Sequence, residues 1–130
     1  MIGADTTVLI DLYKKDAHIF STLKENKEEL ILNDLTYLEL TVGINTQKAA
    51  HIEEQALYDT YFDTFKTLPL TQTVAKKARD IIWNAKKQGT PIRLIDATIA
   101  AIYLSNNIKT ILTRNAKDFK NIQGLQVITY

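Results

Sequence analysis

Four acidic residues, Asp5, Glu39, Asp96 and Asp118, stand where the order of the chain suggests chemistry. Asp96 sits near the start of Leu94–Leu104, a stretch apolar on nearly every side, which reads as a buried helix. Burying an anion is costly unless something pairs with it. Asp96 therefore has two readings: it caps its own helix, or it holds a metal ion together with other carboxylates. Each of the others has a structural reading as well. Asp5 can cap a helix beginning at Thr6, Thr36-Tyr37-Leu38-Glu39 matches a capping box, and Asp118 sits in an Asn/Asp-rich turn. Taken together, carboxylates crowded at one place repel and raise at least one pKa unless a cation neutralises them.

The chain has no cysteine and only His18 and His51, neither of which shares a spacing with the acids. Thiol chemistry and thiolate metal sites are excluded. A metal site here is oxygen-ligated, which favours Mg²⁺ or Mn²⁺ over Zn²⁺. Gly3, Gly43, Gly89 and Gly124 stand too far apart for a phosphate-cradling loop, and Ser105 has no histidine partner. Arg93, Arg114, Lys117 and Lys120 flank the acids, either as phosphate-contacting groups or as ordinary surface charge. Trp83 and Tyr103 lie on apolar faces and are expected in the core.

What gathers the acids is the alternation of strands and helices. Short strands are predicted at 1–4, 29–32, 65–70, 109–113 and 125–128. Helices are predicted at 6–15, 16–26, 35–47, 49–63, 73–88 and 94–104, with Gly89 closing the fifth. Such alternation implies crossovers and a mostly parallel sheet of about five short strands, covered by helices on both faces. Ligands bind such sheets beyond the carboxyl ends of the strands. Asp5 follows the first strand, Glu39 lies in the helix after the second, and Asn115 and Asp118 follow the fourth. Asp96 begins a helix that runs back before that fourth strand. All of them fall at the same edge.

At 130 residues, 45% hydrophobic and 24% charged, the chain fits one globular domain over residues 1–130. A net charge of +1 excludes a surface basic all over, while 16 Lys and Arg leave room for a local basic patch. A charge at Asp5 comes too early for a signal peptide, and no apolar run reaches the ~18–20 residues of a membrane span. The expectation is a cytoplasmic protein with no membrane partner.

The segments Asp5-Thr6-Thr7-Val8-Leu9-Ile10-Asp11, Leu35-Thr36-Tyr37-Leu38-Glu39-Leu40-Thr41-Val42-Gly43, Asp96-Ala97-Thr98-Ile99-Ala100-Ala101 and Thr113-Arg114-Asn115-Ala116-Lys117-Asp118-Phe119 occur in this order. Together they resemble the PIN-domain family, and the size and tail resemble its VapC-type toxin ribonucleases. The resemblance covers essentially the whole chain. It implies a PIN-like α/β fold and metal-dependent endonucleolytic cleavage of RNA, with an antitoxin as partner and a homodimer as the usual assembly. Carried over residue by residue, it makes Asp5, Glu39 and Asp96 catalytic, metal-binding carboxylates. The family's fourth acid aligns with Asn115, and Asp118, three residues on, is the alternative source of that charge. Thr7 stands where small polar residues orient a carboxylate or water. Arg93, Arg114, Lys117 and Lys120 would contact the RNA backbone.

Phosphoryl-accepting domains also place acids at strand ends. Haloacid dehalogenase-type hydrolases need Asp-x-Asp near the N-terminus, where residue 7 is Thr, and receiver domains need an Asp ending the third strand, where Leu68-Pro69-Leu70 offers none. The remaining alternative is a catalytically degenerate PIN-like module that binds RNA or a protein partner without cleaving, a reading that Asn115 keeps open.

Overall fold

Runs of three or four apolar residues bounded by polar ones form the centre of the molecule, and a computed structural model describes all of residues 1–130. Strands β1 (Ile2–Ala4), β2 (Leu30–Asn33), β3 (Thr67–Leu68), β4 (Thr110–Leu112) and β5 (Gln126–Ile128) pair in parallel in one sheet of order β3-β2-β1-β4-β5. Six helices connect them: α1 (Thr6–Tyr13), α2 (Ala17–Glu25), α3 (Asp34–Thr41), α4 (Ala49–Thr64), α5 (Gln72–Lys87) and α6 (Leu94–Ser105). The first half of the chain builds outward from β1 to β2 and β3; the second half builds from the other side of β1 through β4 to β5. The reversal of direction falls between β1 and β4, the point at which sheets of this kind form a ligand crevice beyond the strand ends.

Alternation of side chains along a strand sorts the core into two layers. Ile2, Ala4, Leu30, Leu32 and Leu112 pack with Val8, Leu9, Leu12, Ile19, Leu40 and Tyr58 from α1 to α4. Ile31 and Ile111 face the other way, against Val74, Ala78 and Ile81 of α5 and the buried length of α6. Helices therefore cover both faces, as the alternation predicts. Gly3 is in register with Ile31 and Ile111, and a Cβ there would lie 2.5–2.6 Å from three ring atoms of Tyr103. The Tyr103 hydroxyl donates to the carbonyls of Ala4 and Ile31 and accepts from Asn33 Nδ2, tying α6 to β1 and β2.

Two elements and one side chain differ from expectation. The strand predicted over 65–70 shrinks to Thr67–Leu68, because Pro69 has no N–H to give to a ladder. The helix predicted to Gln47 ends at Thr41, just before Gly43, and Asn45 then organises a turn by accepting from the Gln47 N–H. Trp83 is not in the core: it is 57% exposed. The buried stripe of α5 is Val74, Ala78, Ile81 and Ala85, and Trp83 projects away from it.

Candidate active site

The crevice between β1 and β4 is built from residues at the carboxyl ends of those strands. Asp5 ends β1; its N–H donates to Leu112 O at 3.0 Å, which fixes it beside β4. It stands at the N-cap position of α1, yet its carboxylate makes no capping bond. Instead Oδ2 accepts from the hydroxyls of Thr113 (2.8 Å) and Thr7 (3.1 Å). Asp5 is 5% exposed, and burial is the main cause that raises its carboxyl above the ordinary range; the Asp96 charge adds to it, against the two hydroxyls.

Glu39 reaches the same crevice from α3. The N-cap of α3 is Asn33, whose side chain accepts from the Thr36 N–H at 2.9 Å. The capping-box reading of Glu39 is thereby overturned: the box frame is off by one turn. The Glu39 carboxylate instead accepts from the Thr6 hydroxyl at 2.7 Å, and Thr6 contacts the Thr36 hydroxyl at 3.2 Å. Burial raises its pKa first, and the charges of Asp5 and Asp96 raise it further.

Asp96 lies in the first turn of α6, where its charge suits the helix dipole, but the N-cap is Arg93 and Asp96 caps nothing. Its carboxylate takes a two-pronged contact from Arg93, Nε to Oδ2 at 2.8 Å and Nη2 to Oδ1 at 3.3 Å. Asp5, Glu39 and Asp96 are thus near enough to perturb one another while none serves as a helix cap. The structure brings these three together.

The loop after β4 starts beside Asp5, where Thr113 donates to the carboxylate. The Asn115 N–H donates to the Thr113 hydroxyl at 3.0 Å, and a single 3-10 turn, Ala116–Asp118, follows. Asn115 and Asp118 are half-buried, and the Asp118 charge helps raise the Arg93 pKa after the larger effect of Asp96. Lys117 and Lys120 are exposed and in no ion pair. Arg114 is differently engaged: its Nη1 sits 2.8 Å from Asp11 Oδ1, while Tyr130 donates to Asp11 Oδ2 at 2.6 Å. The Arg114 backbone N–H donates to the Thr7 hydroxyl at 3.1 Å, completing a chain from the loop to Asp5.

Thr6, Thr113 and Asp11 are site residues that sequence reasoning missed. Asp11 carried a signal, since a charge four residues after Thr7 on an otherwise apolar helix shares its face. Thr113 lies inside the Thr-Arg-Asn segment but is chemically unremarkable there.

No three acids close into a preformed ligand cluster. The donor set nevertheless fits a hard divalent cation: all are oxygens, and burial, with the neighbouring acids adding to it, raises the carboxyls of Asp5 and Glu39, a cost that a bound cation would offset.

Comparison with known proteins agrees with this geometry. Residues 3–125 match the PIN domain family. The chain is 32% identical over 129 residues to a ribonuclease VapC of Rickettsia bellii (strain RML369-C), covering 96% of this chain and 92% of that protein. It is similar to the structure of VapBC-1 from nontypeable Haemophilus influenzae, with TM-score 0.79, 26% identity and coverage of 99% and 98% of the two chains. VapBC2 from Rickettsia felis, bound to a promoter DNA fragment, superposes with TM-score 0.82 over 100% and 99% of the two chains; at 18% identity this likeness speaks to the fold.

Proposed function

Because the chain belongs to the PIN-domain family, we propose that it is an endoribonuclease and the toxin of a toxin–antitoxin pair, dependent on Mg²⁺ or Mn²⁺. The observation that carries the reading is the meeting of Asp5, Glu39 and Asp96 at the β1–β4 crevice with no capping duty on any of them. Asp5, Asp96 and Glu39 would hold the cation, with Asp118 supplying a fourth charge and Asn115 a neutral oxygen or a hydrogen bond. The bound cation supplies charge stabilisation at the phosphate and a more acidic attacking water. Thr7 and Thr113 keep the Asp5 carboxylate oriented, and Thr6 does the same for Glu39. Lys117 and Lys120, with Arg93, bind the RNA backbone through contacts that weaken with salt. Arg114 adds to that binding, although its guanidinium serves Asp11, as that of Arg93 serves Asp96.

The chain works in the cytoplasm on single-stranded RNA, held in check by a cognate antitoxin; its likeness to VapBC-1 of Haemophilus influenzae supports that partner. No helix is long and apolar enough to cross a membrane. An open apolar groove of about 450 Å³ between α5 and α6, lined by Leu35, Leu70, Ile82, Trp83, Leu94 and Ile95, supports a homodimer.

A second reading is favoured by the Arg93–Asp96 contact and the absence of a preformed ligand cluster: a module that binds RNA without cutting it. Incubating the purified, antitoxin-free chain with single-stranded RNA separates the two. Cleavage with Mg²⁺ that stops with EDTA and is lost in Asp96→Asn is expected. Binding without cleavage would establish the second reading instead.

A further inference from the structure

The ion pair at the crevice is lopsided. The Asp96 side chain is 7% exposed, whereas that of Arg93 is 74% exposed, so the anion is fixed in the wall and the cation is held mainly by its head group. Both Asp96 oxygens are engaged by the guanidinium. Asp5 and Glu39, by contrast, are in no ion pair and accept from threonine hydroxyls. Arg93 is the only cation in an ion pair with any of these three acids, since Arg114 is committed to Asp11.

We propose that Arg93 is a resident counter-ion of the acidic crevice, which a divalent cation must displace from Asp96 in order to bind. The inference rests on the metal-dependent reading above and deepens it. In the metal-free chain a nearly buried carboxylate without a partner would be costly, so Arg93 stays. A divalent ion takes over both the neutralisation and the oxygens, and two cations on one carboxylate repel. Loading is then an exchange, and the affinity for metal is lowered by whatever the Arg93–Asp96 contact is worth. Because the Arg93 stem is exposed, the guanidinium leaves without giving up buried apolar contact. Once free at the rim, its planar fork matches a phosphate oxygen pair. Metal and RNA backbone then favour the same released position of Arg93, and each strengthens the other's binding.

Arg93 is a positioning residue in this scheme, and the test reads metal binding and stability. Mn²⁺ alone is titrated calorimetrically into metal-free wild type, Arg93→Gln, Arg93→Lys, and Lys24→Gln as a remote, exposed control of equal charge change. Arg93→Gln should bind Mn²⁺ about tenfold more tightly, the scale of one hydrogen bond to a charged group, with Arg93→Lys between it and wild type and the control unchanged. Without metal, Arg93→Gln should melt below wild type, and saturating Mn²⁺ should close that gap, because the bound state no longer uses the contact. Equal Mn²⁺ affinity in Arg93→Gln and wild type, or a stability gap that persists at saturation, overturns the proposal while leaving the metal site standing. Should Arg93→Gln not fold, the Arg93→Lys comparison decides on the same two readouts. If neither wild type nor the Arg93 variants bind Mn²⁺ saturably, or if Asp96→Asn leaves binding intact, the metal reading itself fails and the exchange with it.

Discussion

The Asp5 carboxylate shows what each residue contributes at the smallest scale. It stands at a helix start, where an Asp ordinarily caps, yet makes no capping bond and accepts from two threonine hydroxyls. Burial, with Asp96 adding to it, raises its pKa, so the folded chain holds that proton more tightly than the unfolded chain does. The stability this proton confers is present in acid and is lost as pH rises through the raised pKa. Asp5→Asn removes the titration and keeps an oxygen for both hydroxyls. Melted without metal at neutral pH, the variant should be more stable than wild type, and the advantage should vanish on acidification. RNA cleavage should fall at least about a hundredfold, the usual loss when a group stabilising the reacting charge is removed. An Asp5→Asn chain that melts below wild type at neutral pH would show that the carboxylate is structurally satisfied. The acids were legible in the sequence because strand ends confine chemistry to one edge. Their hydroxyl partners were not, because a threonine that orients a carboxylate looks like any other threonine until β1 and β4 are laid side by side.

At the scale of elements, strands of two to four residues sufficed, and β1, β2 and β4 lead into polar residues, Asp5, Asn33 and Thr113, that position the site. Asn33 illustrates this: it ends β2, caps α3 and donates to Tyr103. The capping-box pattern at Thr36 misled because the real cap lay three residues earlier, and pattern alone does not fix which polar residue starts a helix. The packing of α6 on the sheet was legible as burial but not as a close approach. Tyr103 is held by bonds to Ala4, Ile31 and Asn33 and cannot retreat, while its ring occupies the place of a Cβ at Gly3. Gly3→Ala should therefore cost roughly 1–3 kcal/mol by overpacking, read from urea unfolding. The cost should shrink in a Tyr103→Leu background, since residues in contact are not additive. A Gly3→Ala chain as stable as wild type in both backgrounds would mean the sheet shifts freely beneath α6.

For the whole molecule, the strand order puts β1 at the centre, so that two half-chains contribute acids to one crevice from opposite sides. The same arrangement leaves a face uncovered. Leu35 and Leu38 on α3 and Val42 at its C-cap recur at helical spacing, and Leu38 and Val42 are exposed. Leu35 leads into the groove that Trp83 and Leu94 border, both exposed as well. Lys86 Nζ lies over the Trp83 ring, 5.3 Å from its centre, a cation at the rim of this face. Apolar residues this numerous and contiguous mark a protein contact, and a stable one needs about 800 Å² from each partner. The homodimer proposed above would cover this face with the same surface on both copies, as two-fold symmetry requires. Trp83→Glu places a charge at the middle of this face without touching the buried stripe of α5. Light scattering should find wild type as a dimer and Trp83→Glu as a monomer with unchanged circular dichroism. A wild-type chain that stays monomeric at tens of micromolar, or a Trp83→Glu chain that stays dimeric, would assign the face to another partner.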